Sequence, residues 1–197
     1  MLIPNDKQKT RLFQFAGTAR FAYNWMIEAE KKNHEAGNEF LSDCELRRLF
    51  TELKQEEKYS WLYTISNNVT KQAIKDAVNA YQKFFNGLAG FPRYKCRKHS
   101  RPSFYVDPVK IKFTGTHVKL ESIAQSKRKN RQCANWFRLA EHYCIPVNAK
   151  YFMPRVSFDG LNWYLTIGIE CEQNTQTAHN DGEAFDVGVK ELGVGSS

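Results

Sequence analysis

The chain has 197 residues, 42% hydrophobic and 25% charged, enough to bury a core in one large domain or two small ones and too apolar for a disordered tail. No apolar run approaches the roughly 20 residues that span a bilayer, and no basic region leads into a long apolar stretch as in a signal peptide, so no membrane partner and a cytoplasmic location are expected. The formal net charge of +8 is unevenly placed: Phe91–Arg155 carries 15 Lys/Arg against Asp107, Glu121 and Glu141, while the rest of the chain is net acidic, and a single-sign field of that kind attracts polyanions.

The first ninety or so residues read as helices. Asn5 with Gln8 has capping-box spacing and starts a first helix carrying Leu12, Phe15 and Ala16 on one face. Gly17 breaks that run, and a second helix follows with Phe21, Ala22, Trp25, Met26 and Ala29, closed by Gly37. The two helices joined at Gly17 form a helix-turn-helix over residues 5–37. Ser42 with Glu45 caps a third helix with the stripe Leu46, Leu49, Phe50, Leu53. A fourth runs from about Asn67 to Asn86 on the apolar face Ile74, Val78, Tyr81, Phe85, and Gly87 ends it.

From Phe91 the character changes. Pro92, Pro102, Pro108, Pro146 and Pro154 interrupt helices, and short strands are predicted at 110–113 and 117–120. Residues 155–158 and 163–169 flank Asp159-Gly160 as a hairpin. Residues 172–182 are polar and read as a linker. The stretch 184–189 then begins a buried strand with Asp186 in its middle. Five cysteines, Cys44, Cys96, Cys133, Cys144 and Cys171, are odd in number and lack metal-ligand spacing; they read as reduced, partly buried thiols.

Two features carry chemistry. The run 91–101 holds five permanent cations and no acid. Arg93, Lys95, Arg97, Lys98 and Arg101 suit phosphates, and Tyr94 suits stacking on a base. Lys127, Arg128, Lys129 and Arg131 form a second basic run. Asp186, inside an apolar strand, has the form of a metal-ligating nuclease aspartate. On residue types alone, however, a strand-end aspartate bonded to backbone amides fits better, because such chemistry needs two or three carboxylates.

Several segments, taken in order, resemble the TnpB (OrfB) proteins of bacterial insertion sequences, RNA-guided nucleases related to type V CRISPR effectors. Leu2-Ile3-Pro4-Asn5 is similar to the start of the first helical unit. Ala19-Arg20-Phe21-Ala22-Tyr23-Asn24-Trp25 resembles "ARFVYN", and Ala80-Tyr81-Gln82-Lys83-Phe84-Phe85 resembles "AYKNFF". Gly90-Phe91-Pro92-Arg93-Tyr94-Lys95 resembles "GFPRFK". Ala184-Phe185-Asp186-Val187-Gly188-Val189-Lys190-Glu191-Leu192 resembles the first RuvC motif, "GVDVGIKDF".

The resemblance implies an α+β chain. A helical recognition lobe covers 1–90, a basic β-barrel-like wedge covers 91–175, and 183–197 opens an incomplete RuvC (RNase H-like) domain. It implies a nucleic-acid-binding fragment with guide RNA and target-adjacent DNA as partners, Asn67, Asn68 and Lys71 facing the adjacent motif, and Asp186 as the first of three catalytic acids. No cofactor is expected in this chain itself; Mg²⁺ belongs to a completed RuvC site. Two alternatives stand beside this reading: a piece of an active endonuclease completed by C-terminal sequence, and a non-cleaving remnant. The departures are equally specific. The strand that precedes the first helix is nearly absent, which would leave the barrel short of an edge strand, and the later RuvC acids and the zinc module are missing.

Overall fold

The computed structural model describes residues 1–121, 135–147 and 149–170, together with the backbone of two short strands at 184–186 and 194–196. The class is α+β, with a helical unit followed by an antiparallel sheet. Its helices are α1 (Asp6–Glu35), α2 (Asp43–Leu53), a 3-10 helix (Glu57–Thr64) and α3 (Asn67–Phe85).

Both predicted capping boxes form. The Asn5 side chain accepts the Gln8 amide while the Gln8 side chain accepts the Asn5 amide, and Ser42 and Glu45 do the same for α2. Such reciprocal bonds satisfy amides that the first helical turn otherwise leaves unpaired. Gly37 and Gly87 follow α1 and α3 with φ of 77° and 70°, the left-handed conformation that ends a helix.

The predicted break at Gly17 does not occur. α1 is one continuous helix of 30 residues. A glycine inside a helix costs only about 1 kcal/mol relative to alanine. Against that stands one unbroken buried stripe: Leu12, Phe15, Ala16, Ala19, Ala22, Tyr23, Met26 and Ile27. Their burial stabilises continuity by several times the glycine penalty. The small residues of the stripe face α3, whose buried side includes Ala73 and Ala77, so the two helices pack closely.

The sheet has seven strands, β1 (Leu2–Ile3), β2 (Ser103–Tyr105), β3 (Lys112–Phe113), β4 (His117–Lys119), β5 (Trp136–Leu139), β6 (Tyr151–Phe158) and β7 (Trp163–Ile169), in the order β2-β6-β7-β1-β5-β4-β3. The expected loss of the N-terminal strand is corrected. Two residues suffice for β1, which lies between β7 and β5: Leu2 faces Leu139 on one side and Trp163 on the other. Gln8, beyond the turn, donates its side-chain amide to the Trp136 carbonyl and ties the start of α1 to β5.

The hairpin is present as β6 and β7, with Asp159 accepting the amides of Leu161 and Asn162 in the turn. β6 extends further than the sequence suggested. It absorbs Pro154, which has no amide to give, through a register shift between Phe152 and Arg155. β2 and β5 carry no long alternating pattern and were not predicted. The predicted strand at 110–113 is shortened by a 3-10 turn at Pro108–Lys110.

One hydrophobic cluster joins helices and sheet. Phe15 of α1 meets Phe104 of β2 with ring centroids 5.3 Å apart, and Val118, Leu120, Phe137 and Val156 are fully buried on the sheet side. Cys44, Cys96 and Cys144 are exposed rather than partly buried. At the C-terminal end, β8 (Ala184–Asp186) pairs antiparallel with β9 (Val194–Ser196). The predicted linker at 172–182 lies outside the described residues.

Candidate nucleic-acid interface

The basic run 91–101 is a strap laid across α1. The Asn24 side chain grips it twice: its oxygen accepts the Lys95 amide and its nitrogen donates to the Lys95 carbonyl, both at 2.8 Å. Tyr94 donates its hydroxyl to Glu28 at 2.7 Å. That bond to a carboxylate pushes the phenol up to about 12 and holds Glu28 below the usual carboxylate range. The Lys95 ammonium lies 3.7 Å from the centre of the Tyr23 ring, a cation–π contact. Burial pushes this ammonium down; Asp76 opposes the shift and Arg155 adds to it. Asp76 in turn pairs with Arg155 at 2.8 Å, linking α3 to β6.

Two of the predicted contacts therefore serve the fold. The Lys95 ammonium is turned inward, and Tyr94 presents its ring to solvent with its hydroxyl already engaged. The turn that follows is different. The Cys96 amide donates to the Ser100 hydroxyl and the Ser100 amide to the Cys96 carbonyl, so residues 97–99 are held out into solvent. Arg97, Lys98 and Arg101 line one cleft of about 940 Å³ between this turn, α1 and the Asp159-Gly160 turn. Arg101 is braced by a bond from its Nε to the Phe158 carbonyl. Arg93 is exposed on the strap outside this cleft.

The start of α3 is more occupied than the sequence suggested. Asn67 accepts from the buried Lys54, whose ammonium sits near the Phe50 and Tyr63 rings and is pushed down by burial. Asn68 donates its side-chain amide to Asp107 and Glu121, and Lys110 pairs with that same Glu121. Lys71 is exposed on the outer face of α3. Lys127, Arg128, Lys129 and Arg131 lie outside the described residues.

Asp186 is in β8 with Val194 as its register partner, and the two strands 184–186 and 194–196 contain no other carboxylate. Among the described residues no group of three His, Cys, Asp or Glu could hold a metal ion.

One basic residue escaped the sequence reading. Arg20, in the Ala19–Trp25 motif, lines the same cleft as Arg97, Lys98 and Arg101. The available signal was a lone arginine among small and aromatic residues, three positions after Gly17. Supposing a break at that glycine hid the fact that both lie on one helix.

The helix-turn-helix domain model of the OrfB IS605 group matches residues 1–39. In this structure those residues form β1 and the single helix α1. The chain is 26% identical over 174 residues, 88% of its length, to an Escherichia coli protein named "Putative RNA-guided DNA endonuclease InsQ", of which it covers 40%. It is 30% identical over 100 residues, 51% of its length, to a Streptomyces pristinaespiralis protein named "Putative RNA-guided DNA endonuclease", covering 25% of that protein. A protein named as a transposase from Paramecium bursaria Chlorella virus 1 is 32% identical over 133 residues, 60% of this chain and 28% of its own length. The chain thus spans less than half the length of these relatives.

Proposed function

We propose that this chain, a member of the TnpB (OrfB) family, binds the guide RNA and target-adjacent DNA of an RNA-guided system through its basic cleft and the neighbouring surface of the sheet. The observation that carries this reading is the gathering of Arg97, Lys98, Arg101 and Arg20 around one cleft, from segments far apart in sequence. Cations so placed neutralise successive phosphates and release counterions, which gives affinity without sequence selection. The relatives' printed names, RNA-guided endonucleases and a transposase, are consistent with nucleic-acid partners.

The test is a fluorescence anisotropy titration of the full chain with a structured RNA and a duplex DNA at about 50 and 200 mM salt. Binding that weakens steeply with salt is expected, a loss of about 10³-fold for six phosphate contacts. Absence of binding to both at low salt refutes the reading.

A second reading concerns cleavage, and Asp186 favours it. Its segment resembles the first RuvC motif, which supports reading it as the residue that would hold Mg²⁺ once further carboxylates are supplied. The metal would activate water and stabilise the leaving oxygen. Asp186→Ala should leave binding by the chain intact while abolishing cleavage in a longer protein that contains it.

A further inference from the structure

A groove crosses the outer face of α1 exactly where the sequence had suggested a break. On one side lies the basic cleft with Arg97, Lys98 and Arg101. On the other lies a second depression bounded by Arg11, Phe21 and Trp61. Gln14, Gly17 and Arg20 line both, so the two depressions are continuous over α1. Gly17 forms the floor between them, and a Cβ added there meets nothing within 4 Å. A glycine is the residue that lets a ligand approach a helix backbone closely.

We propose that this groove is a track for one strand of single-stranded nucleic acid, passing over Gly17 with a phosphate held by Arg20 and a base stacked near Trp61. The proposal rests on the nucleic-acid-binding reading and names its site. Arg20 is half-buried, and among the described residues its guanidinium makes no hydrogen bond or ion pair. A half-buried arginine with no hydrogen bond or ion pair among the described residues, on the path between two basic depressions, is placed for an anion. Arg11 is steadied by bonds to Gln14 and to the Thr64 carbonyl, which fixes it at the far rim.

Among the described residues the single acid lining the groove is Asp159, and its carboxylate is occupied by two turn amides. Trp61 is 41% exposed and is held edge-on against Phe21, which fixes its ring while leaving surface free. Aromatic faces beside a line of cations are the arrangement that unpaired bases use, since a paired base has no free face to stack.

The experiment uses the full chain and fluorescein-labelled 20-mers of uridine RNA and thymidine DNA, with wild type, Arg20→Gln, Gly17→Gln and, as a cation outside the groove, Lys83→Gln. Arg20→Gln should weaken binding about five- to tenfold and reduce the slope of log affinity against log salt by about 0.7. Gly17→Gln fills the floor and should weaken binding similarly, yet raise the thermal midpoint by about 2–4 °C because a helical glycine is replaced. A stabilised protein that binds worse separates a filled groove from a damaged fold. Lys83→Gln should bind within about twofold of wild type.

If wild type binds but Arg20→Gln and Gly17→Gln bind equally well, the track is refuted and the broader function stands. An unlabelled duplex of the same length that displaces the probe at the same concentration as the single strand also refutes it. Failure of wild type to bind any of the nucleic acids refutes the broader function itself.

Discussion

Replacing Asn24 by Ala removes both clasps on the strap at once. Its two bonds to the Lys95 backbone, each 2.8 Å, are partly buried. A typical intramolecular hydrogen bond contributes about 1 kcal/mol net, and each backbone group left without a partner costs roughly another 1 kcal/mol or more. The loss should therefore be about 2–4 kcal/mol, a large part of the 5–15 kcal/mol typical of a domain. For a chain of this size it corresponds to a fall in thermal midpoint on the order of 10 °C.

Asn24→Asp dissects the pair. It keeps an acceptor for the Lys95 amide but loses the donor to the Lys95 carbonyl and sets a carboxylate against that oxygen, so it should lose at least half as much. Urea denaturation followed by tryptophan fluorescence gives both values by linear extrapolation. Local release has its own signature. Tyr94 is held at about 12 by Glu28, and in Asn24→Ala an ultraviolet titration should find it moving toward the ordinary 10.0. A destabilisation by Asn24→Ala below about 0.5 kcal/mol, with Tyr94 unmoved, would refute the strap as a structural element.

Two further outcomes are expected. Glu30 is buried, accepts the Leu41 amide at 3.1 Å and is held above the usual carboxylate range chiefly by burial. The unfolded carboxyl releases its proton first, so the native state binds more protons just above pH 4.5, and this group's contribution falls as pH rises toward its folded value. Glu30→Gln should remove that decline; a wild-type minus variant stability difference that stays flat from pH 4.5 to neutral would show the burial argument to be wrong. Asp76→Asn leaves Arg155 and the Lys95 ammonium without their shared carboxylate. Because the pair is partly open to solvent, about 1–2 kcal/mol should be lost, and an unchanged urea midpoint at low salt would count against the link between α3 and β6.

Short-range signals were legible in the sequence. Asn5 with Gln8 and Ser42 with Glu45 act over three residues, and Asp159-Gly160 needs only its own neighbours, so each specifies its capping or turn geometry without knowing the rest of the fold. The concentration of charge in 91–155 was equally plain, because a count of charges does not depend on folding. The order of motifs carried the resemblance to the TnpB (OrfB) proteins.

Tertiary structure decided what depends on distant partners. Gly17 stays helical because the stripe on either side of it packs against α3, a fact no local propensity contains. Leu2 and Ile3 become a strand because β5 and β7 leave a place between them, more than a hundred residues away in sequence. Within the basic run, residue types alone could not separate Lys95, turned onto Tyr23, from Arg97 and Arg101, which line the cleft. That separation follows from Asn24, whose two bonds fix which side of the strap faces α1. Composition concentrated the positive charge in 91–155; packing decided which of those cations line the cleft.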